Sequence, residues 1–308
     1  MPEQTTAAIF PGQGSQTVGM GQELAARHAI VQATFAEADT VLGFALTDLC
    51  FTGPADELKR TSIAQPALVT MSTACWRLAT AHGFTCAAAA GHSLGEYSAL
   101  VAAGALAFPD ALRLVRRRGE LMEAAAARHP GGMAAIIGLN DDEVRALCAA
   151  VAAEQGTLVP ANFNAPGQVV VSGEVDAIAA VRAAVKARGA RAIPLAVSGP
   201  FHSPLMREAA EEFSALLDAV TISPPTMPIV PNVTAEPTME PDVLRQALAA
   251  QIMGAVQWVR GVYALRNLGI SRFVEIGPGN VLTGLVQRTT PESAALPFLD
   301  LLVELQLV

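Results

Sequence analysis

The stretch that decides the fold is AAGHSLGEY, at residues 89–97. Small residues lead into it, and residues 98–107 predict the helix that follows. A strand, a sharp turn carrying G-x-S-x-G and a helix form the setting of a nucleophile elbow. Gly91 and Gly95 have no Cβ atoms to clash where the strand and the helix cross. We therefore interpret Ser93 as a nucleophile; the alternative for so short a motif is a Gly-Ser turn without chemistry.

The elbow also predicts where negative charge would be stabilised. The N–H of Leu94 and the N-terminus of the next helix face any charge that forms beside the serine. A glycine-rich loop, PGQGSQ at residues 11–16, follows a short apolar strand at residues 7–10. Gln13 in this loop is a candidate donor to an oxyanion, and an ordinary turn is the alternative. Thr17 stands where a dinucleotide fingerprint needs its third glycine, so that function is not predicted.

Length, composition and charge restrict the class of protein. The chain has 308 residues, 52% of them hydrophobic, which is enough for a large core with an insertion. A formal net charge of −8 disfavours binding to nucleic acid or to an anionic membrane over the whole surface. No apolar window is long enough for a membrane span, and residues 1–6 lack the features of a secretory leader. With four widely spaced cysteines, these features predict a cytoplasmic protein with buried thiols.

Helical and strand patterns alternate along the chain, which predicts an α/β fold with a mainly parallel sheet. Before the elbow, helical spacing occurs at residues 21–38 and 64–81. After it, residues 108–128 predict a helix with proline near its start. The apolar tail, residues 297–308, is expected to dock on the body of the protein. Later elements are predicted as helices at 205–217, 242–253, 258–268 and from 281, and as a strand at 272–276.

The chain changes character after the breaker sequence HPGG at residues 129–132. The pattern that follows is βαββαβ, the order of a ferredoxin-like unit. We predict a ferredoxin-like subdomain at residues 131–197, inserted into a discontinuous larger domain of residues 1–130 and 198–308. Its elements are predicted at residues 133–139, 141–153 (after Asn140 as N-cap), 158–164, 168–172, 175–188 and 191–196.

Four basic side chains lie on the second helix of this insert or just beyond it: Arg182, Lys186, Arg188 and Arg191. We call them the basic cluster. Such a group is usually a solvated surface. In an acidic protein with few lysines, it is also a candidate contact for an anionic partner.

Arg118 occupies the middle of an apolar stripe on the helix at residues 108–128. A guanidinium in that position is energetically costly unless it is paired. Two interpretations are open: it snorkels or pairs with an internal acid, or it grips the carboxylate of a substrate with two hydrogen bonds. The neighbours at helical spacing are Leu114, Val115, Leu121 and Met122.

His202 is the best general-base candidate among the five histidines. It lies in SGPFHSP, residues 198–204, a turn between a strand and a helix where catalytic groups often occur. A lone histidine is more often structural, but as a partner of Ser93 it would be the base. His92 is expected to point away from the chemistry. The sequon that begins at Asn232 is interpreted as a chance match, since no secretory leader is predicted.

Five segments taken together resemble the malonyl-CoA:acyl-carrier-protein transacylases of fatty-acid and polyketide synthesis. The resemblance runs from residue 10 to about residue 288. The family implies an α/β-hydrolase-like domain with a ferredoxin-like insert, in agreement with the element order above. The matching segments are FPGQGSQ at 10–16, GHSLG at 91–95, Arg118 within RRRG, FH at 201–202, and Gln251 before VQW at 256–258.

The resemblance implies a catalytic role for five residues. Ser93 is the nucleophile and His202 is its base. A main-chain carbonyl at the Gln251 position orients the histidine in place of an aspartate. The backbone N–H groups of Gln13 and Leu94 form the oxyanion hole.

The resemblance also implies the substrates and partners. Arg118 binds the malonyl carboxylate, and Phe201 crowds an α-methyl branch and so favours malonyl over methylmalonyl. The malonyl group passes from malonyl-CoA through a malonyl-serine to the phosphopantetheine thiol of an acyl carrier protein. No metal or redox cofactor is implied. The acidic carrier is expected to dock on the basic cluster, and the chain is expected to be a monomer.

Two other functions compete with this one. A serine esterase or thioesterase usually has an acid between its serine and histidine in chain order. Between Ser93 and His202, the acids that lie outside the helices of Ser93 and Arg118 belong to the insert. A neutral ester also does not need Arg118. A non-catalytic scaffold is disfavoured because both Ser93 and His202 are present.

Overall fold

The computed structural model describes residues 5–307. Its strands are Thr6–Phe10 (β1), Ala88–Gly91 (β2), Gly131–Ile137 (β3), Leu158–Ala165 (β4), Gln168–Glu174 (β5), Arg191–Pro194 (β6), Ile229–Val230 (β7), Arg272–Glu275 (β8) and Ala294–Pro297 (β9). Its α-helices are Gln22–Arg27 (α1), Ala29–Leu42 (α2), Leu46–Thr52 (α3), Ala55–Lys59 (α4), Thr61–Ala81 (α5), Gly95–Ala102 (α6), Phe108–Arg128 (α7), Asp141–Gln155 (α8), Val175–Ala187 (α9), Arg207–Asp218 (α10), Pro241–Gln251 (α11), Trp258–Asn267 (α12), Val281–Thr289 (α13) and Phe298–Glu304 (α14).

The larger sheet is parallel throughout, with the strand order β7-β2-β1-β8-β9. Its middle strand, β1, is buried along its whole length. Side chains alternate between two cores, because successive residues of a strand face opposite sides of a sheet. Ala8 and Phe10 face the core that contains α5 and α7, whereas Ala7 and Ile9 face the core of α12 and α13. The predicted α/β fold with a mainly parallel sheet is confirmed.

A second sheet is antiparallel and has the order β4-β5-β3-β6. Helices α8 and α9 pack against it and bury Val144 and Val181 in a core of its own. Asn140 begins α8 with a capping box, accepting from the Glu143 N–H at 2.9 Å while its own N–H donates to the Glu143 carboxylate at 2.8 Å. The predicted N-cap is therefore confirmed.

Several element boundaries differ from the sequence prediction. The single helix expected at residues 21–38 is two helices, α1 and α2, because His28 between them has an extended backbone (φ −127°, ψ 111°). The helix after the elbow begins at Gly95 rather than at residue 98. The helix expected at 205–217 begins with a separate 3-10 turn, Pro204–Met206. Helices α3 and α4 and strand β9 were not predicted, since each is too short to carry a clear hydrophobic period.

The C-terminal tail docks as predicted, with Phe298, Leu301 and Leu302 of α14 buried in the larger core. Residue 308 and residues 1–4 of the predicted domain lie outside the described residues. Across residues 5–307, no helix has the length and apolar character that crossing a bilayer requires. The four cysteines are unpaired thiols, three of them buried and Cys86 half-buried.

Candidate active site

The sharp turn after β2 holds Ser93 in a strained backbone conformation. Its φ is 49°, in the left-handed region that non-glycine residues rarely adopt. A Cβ atom on Gly91 would overlap the main chain of Gly95, and one on Gly95 would overlap the carbonyl of Phe10. The two glycines are therefore required by the close crossing of α6 over β1 and β2, as the motif predicted.

Side-chain amides from distant parts of the chain hold this turn in place. Asn232 accepts from the Ser93 N–H at 2.6 Å and donates to the Gly91 carbonyl at 2.6 Å. Gln251 donates through Nε2 to the Ser93 carbonyl at 3.0 Å. Backbone strain persists only where the surroundings over-determine it, and these contacts do so. Asn232, whose sequon had no structural interpretation, is thus a buried brace of the elbow.

Ser93 and His202 form a hydrogen-bonded pair, with Oγ 2.8 Å from Nε2. The other ring nitrogen, Nδ1, lies 2.9 Å from the Gln251 carbonyl oxygen and 3.0 Å from that of Gly254. A carbonyl oxygen can only accept, so Nδ1 carries the proton and Nε2 is left to accept from the serine hydroxyl. The geometry matches the expected pairing and adds Gly254, which the sequence did not indicate.

The environment of His202 keeps its ring neutral. Burial is the largest cause that lowers its pKa, to about 4, and the positive charge of Arg118 lowers it further. Hydrogen bonds to the carbonyls of Gln251 and Gly254 act in the opposite direction. A neutral imidazole with a free Nε2 lone pair can accept the serine proton at neutral pH.

Arg118 is 1% exposed. It donates to Oε1 of Gln65 at 2.9 Å and to Oε1 of Gln251 at 3.0 Å, and its guanidinium lies 5.6 Å from the ring centre of Tyr97. Its Nε has no hydrogen-bond partner among the residues that the structure describes. No carboxylate within residues 5–307 forms an ion pair with it. Of the two interpretations of Arg118, direct pairing with an internal acid is therefore not observed.

One cavity of about 250 Å³ joins these groups. Ser93, His202 and Arg118 all line it, together with Gln13 and Leu94, whose main-chain N–H groups have no acceptor in the described part of the chain. The rest of the wall is largely apolar and contains Met122, Met133, Val170, Leu195, Val197 and Phe201. The cavity can therefore hold a short acyl chain between a nucleophile, a base, two free N–H donors and a cation.

Three polar residues of the cavity were missed or misplaced by sequence reasoning. His92, which was expected to point elsewhere, lines the cavity, although its Nε2 is bonded to Oδ1 of Asn164 at 2.7 Å rather than to Ser93. Asn162 and Asn164 reach the cavity from β4, in the smaller sheet. No local sequence signal marks them, because only the packing of the two sheets brings β4 to the elbow.

The basic cluster lies outside the cavity. All four side chains are exposed, on α9 or on the residues that follow it. None of the four forms an ion pair with another described residue. They are therefore free to contact a partner.

Comparisons with known proteins identify the family of the chain. The family description "Acyl transferase domain" matches residues 8–304. The malonyl CoA-acyl carrier protein transacylase of Escherichia coli O157:H7 is 48% identical over 92% of this chain and 92% of its own, and that of Bacillus subtilis is 45% identical over 92% and 89%. An acyl-carrier-protein S-malonyltransferase structure from Burkholderia pseudomallei is similar with a TM-score of 0.94, 41% identity and coverage of 98% and 99%. A structure described as a type II PKS acyl-carrier protein in complex with its malonyl-transacylase is similar with a TM-score of 0.94 and 42% identity. The match covers 98% of this chain and 99% of that one. The chain therefore belongs to the acyl transferase family, among the malonyl-CoA:acyl-carrier-protein transacylases.

Proposed function

We propose that this chain moves a malonyl group from malonyl-CoA to the phosphopantetheine thiol of an acyl carrier protein. One observation carries the proposal. The buried Arg118 cation, without an ion-pair partner among the described residues, shares a cavity with the Ser93–His202 pair. Its place suits the free carboxylate of a malonyl group whose thioester lies at Ser93.

In the first half-reaction, Ser93 Oγ attacks the thioester carbonyl and His202 Nε2 takes the hydroxyl proton. The oxyanion of the tetrahedral intermediate accepts from the N–H groups of Gln13 and Leu94, each such donor being worth about 2.7–4 kcal/mol in the transition state. Collapse breaks the carbon–sulfur bond, and His202 returns its proton to the CoA thiolate. A malonyl-serine ester remains.

In the second half-reaction, the phosphopantetheine thiol gives its proton to His202 and attacks the ester. The same two N–H groups stabilise the oxyanion. Ser93 Oγ then leaves with the proton from His202, and the malonyl group stays on the carrier. The serine–histidine pair and the main chain supply every group that these steps need, so we propose that no metal or redox cofactor takes part.

Phe201 is proposed to select malonyl over branched acyl groups. It lines the cavity next to His202 and is 5% exposed. Its ring would crowd an α-methyl branch, and one packing contact of this kind discriminates by about 1–3 kcal/mol.

The hydrolase alternative is not favoured. The His202 Nδ1 contacts carbonyl oxygens rather than a carboxylate, so residues 5–307 do not place at this ring the acid that serine esterases usually have. A neutral ester would also offer no carboxylate for the buried Arg118 guanidinium to bind.

We also propose the finer architecture that the sequence predicted. The order β4-β5-β3-β6 and the βαββαβ sequence support a ferredoxin-like insert at residues 131–197. The elbow serine at the end of a parallel strand supports an α/β-hydrolase-like domain of residues 1–130 and 198–308. Monomeric state and cytoplasmic location stay predictions.

Intact-mass measurement tests the proposed function. Brief exposure to malonyl-CoA without carrier should give one malonyl adduct, which maps to the peptide containing Ser93. Addition of a phosphopantetheine-bearing acyl carrier protein should remove the adduct and malonylate the carrier. Steady release of free malonate without an adduct, or an adduct on another residue, would contradict the proposal.

The basic cluster is proposed as the docking surface for the acidic carrier. Reversing two of its charges, with Arg182→Glu and Arg188→Glu, should slow transfer to the carrier by roughly tenfold at low salt, because exposed charges mainly control association. The rate of Ser93 malonylation by malonyl-CoA should not change. Rapid-quench measurement of both half-reactions checks this. Arg27→Glu with Lys59→Glu, at two exposed positions outside the insert, is the control for a change of net charge, and equal loss in the two half-reactions would refute the docking surface.

A further inference from the structure

A buried acid, Glu96, lies behind the cavity and has no part in the steps above. It is 1% exposed, near the start of α6. Its Oε2 accepts three hydrogen bonds: from the Asn232 N–H at 2.9 Å, from Asn232 Nδ2, and from Gln251 Nε2 at 2.8 Å. Its Oε1 accepts none from any residue between positions 5 and 307. Buried polar atoms without a partner are uncommon and need an explanation.

One side-chain amide joins Glu96 to Arg118. Gln251 donates to Glu96 through Nε2 and accepts from Arg118 through Oε1. A carboxylate only accepts and a guanidinium only donates, so this amide has a single satisfactory orientation. Within residues 5–307, Glu96 is the acid that this chain of hydrogen bonds connects to Arg118.

The arrangement balances charge before a substrate binds. Glu96 supplies a negative charge one amide away from the buried guanidinium. A malonyl group would bring a second negative charge to the same cation. Two carboxylates near one buried cation disfavour each other's ionised form, as like charges do in a shared site.

We propose that Glu96 is the resident counter-ion of Arg118 and that it takes up one proton from solvent when a malonyl carboxylate binds. The inference rests on the proposed function. The proton bonds to Oε1, the oxygen without a hydrogen-bond partner, because Oε2 already accepts three bonds. In every molecule whose Glu96 is ionised, the cation then faces one negative charge both before and after binding. An acetyl group carries no charge, so it leaves Glu96 ionised.

The environment of Glu96 places this proton exchange near neutral pH. Burial raises its pKa to about 7, although the hydrogen bonds from Asn232 and Gln251 and the charge of Arg118 act to lower it. The neighbouring amides do not titrate, and burial raises the pKa of Tyr97 still further above its ordinary value, which already lies well above neutral pH. A bound malonyl anion raises the pKa of Glu96 further.

The nearby histidines do not compete for this proton. Burial lowers the pKa of His92 and that of His202, so both rings are neutral near pH 7. A bound malonyl carboxylate would change the pKa values of these two histidines equally in the native protein and in a variant of Glu96. Glu96 is therefore the group whose proton count changes when malonyl binds at neutral pH.

Calorimetric titration of the Ser93→Ala protein separates binding from acyl transfer. Malonyl-CoA is titrated at pH 7 in two buffers of different ionisation enthalpy, and the difference in heat gives the protons taken up. We expect uptake of a fraction of a proton per site, since a pKa of about 7 leaves Glu96 partly ionised at this pH. Acetyl-CoA should give none.

Two further variants assign the proton to its residue. Glu96→Gln, in the same Ser93→Ala background, should bind malonyl-CoA without proton uptake. Glu275→Gln is the matched control. Glu275 is also a buried acid that accepts three hydrogen bonds, from Leu282 and Thr283. These bonds do not connect it to Gln251 or Arg118. This control should keep the uptake.

Each outcome is decisive. Equal uptake for malonyl-CoA and acetyl-CoA, or unchanged uptake in Glu96→Gln, overturns the inference. If Glu96→Gln fails to fold, the comparison of the two CoA esters on the Ser93→Ala protein still decides. A titration in which malonyl-CoA does not bind overturns the proposed function itself, whereas binding without a proton overturns only the counter-ion role.

Discussion

Replacing His202 with alanine should slow malonylation of Ser93 by about 10⁴–10⁶-fold, because members of a nucleophile–base pair act as a unit. The serine hydroxyl would lose the acceptor that lies 2.8 Å from its oxygen. The N–H groups of Gln13 and Leu94 would remain and give the residual rate. Single-turnover quench measurements with malonyl-CoA provide the rate. His129→Ala, at a half-buried histidine outside the cavity, is the control and should leave the rate unchanged.

The pH profile of the same pair gives a second measurement. A neutral fluorophosphonate labels an activated serine without involving Arg118, so its rate reports only on Ser93 and His202. The pKa of His202 is lowered to about 4, so the ring stays unprotonated above that value. The labelling rate should be constant down to about pH 5 and fall as the pH passes below about 4. A fall that is complete by pH 6, or a His202→Ala rate within tenfold of the native one, would contradict the assigned base.

Local sequence patterns were sufficient to predict the elbow at Ser93 and the burial of Arg118. The glycine spacing around Ser93 is a steric requirement of one turn, so a short stretch of sequence contains it. The apolar positions around Arg118 follow the helical period, and α7 has the predicted bounds, Phe108–Arg128. In both cases the physical cause lies within a few residues along the chain.

The partners of these residues could not be predicted, because they are distant in sequence. Gln65 and Gln251, which hold Arg118, lie 53 and 133 residues away from it. The side-chain amide of Gln251 contacts Ser93, Glu96 and Arg118, whereas the family resemblance implied only its main-chain carbonyl. Only the tertiary fold brings these groups together.

Asn232 illustrates how a local motif can mislead. The letters Asn-Val-Thr form a sequon, and nothing nearby suggests any other role. In the structure Asn232 is 5% exposed and bonded to Gly91, Ser93 and Glu96. The interruption between α1 and α2 could not be predicted either, because the extended backbone of His28 does not alter the hydrophobic pattern of the sequence.

Arg118→Met should reduce malonylation of Ser93 by about 10²–10³-fold while acetylation falls by less than about tenfold. Methionine fills a similar volume without charge, so the variant removes the carboxylate partner and leaves little cavity. Removing one partner of a buried, hydrogen-bonded charge pair costs about 2–5 kcal/mol, and the acetyl group has no carboxylate to lose. Competition between malonyl-CoA and acetyl-CoA, followed by intact mass, measures the ratio.

Arg118→Lys separates charge from geometry in that ratio. Lysine keeps the positive charge but lacks the planar fork that reaches Gln65 and Gln251 together. We therefore expect a malonyl-to-acetyl preference between those of the native protein and Arg118→Met. The thermal unfolding temperature of each variant should be measured beside its activity. In Arg118→Met the two glutamine oxygens lose their donor, which costs about 1–3 kcal/mol of folding stability for each buried unpaired group. An equal fall of malonyl and acetyl transfer in both folded variants would mean that Arg118 supports the fold alone, and the acyl preference would need another cause.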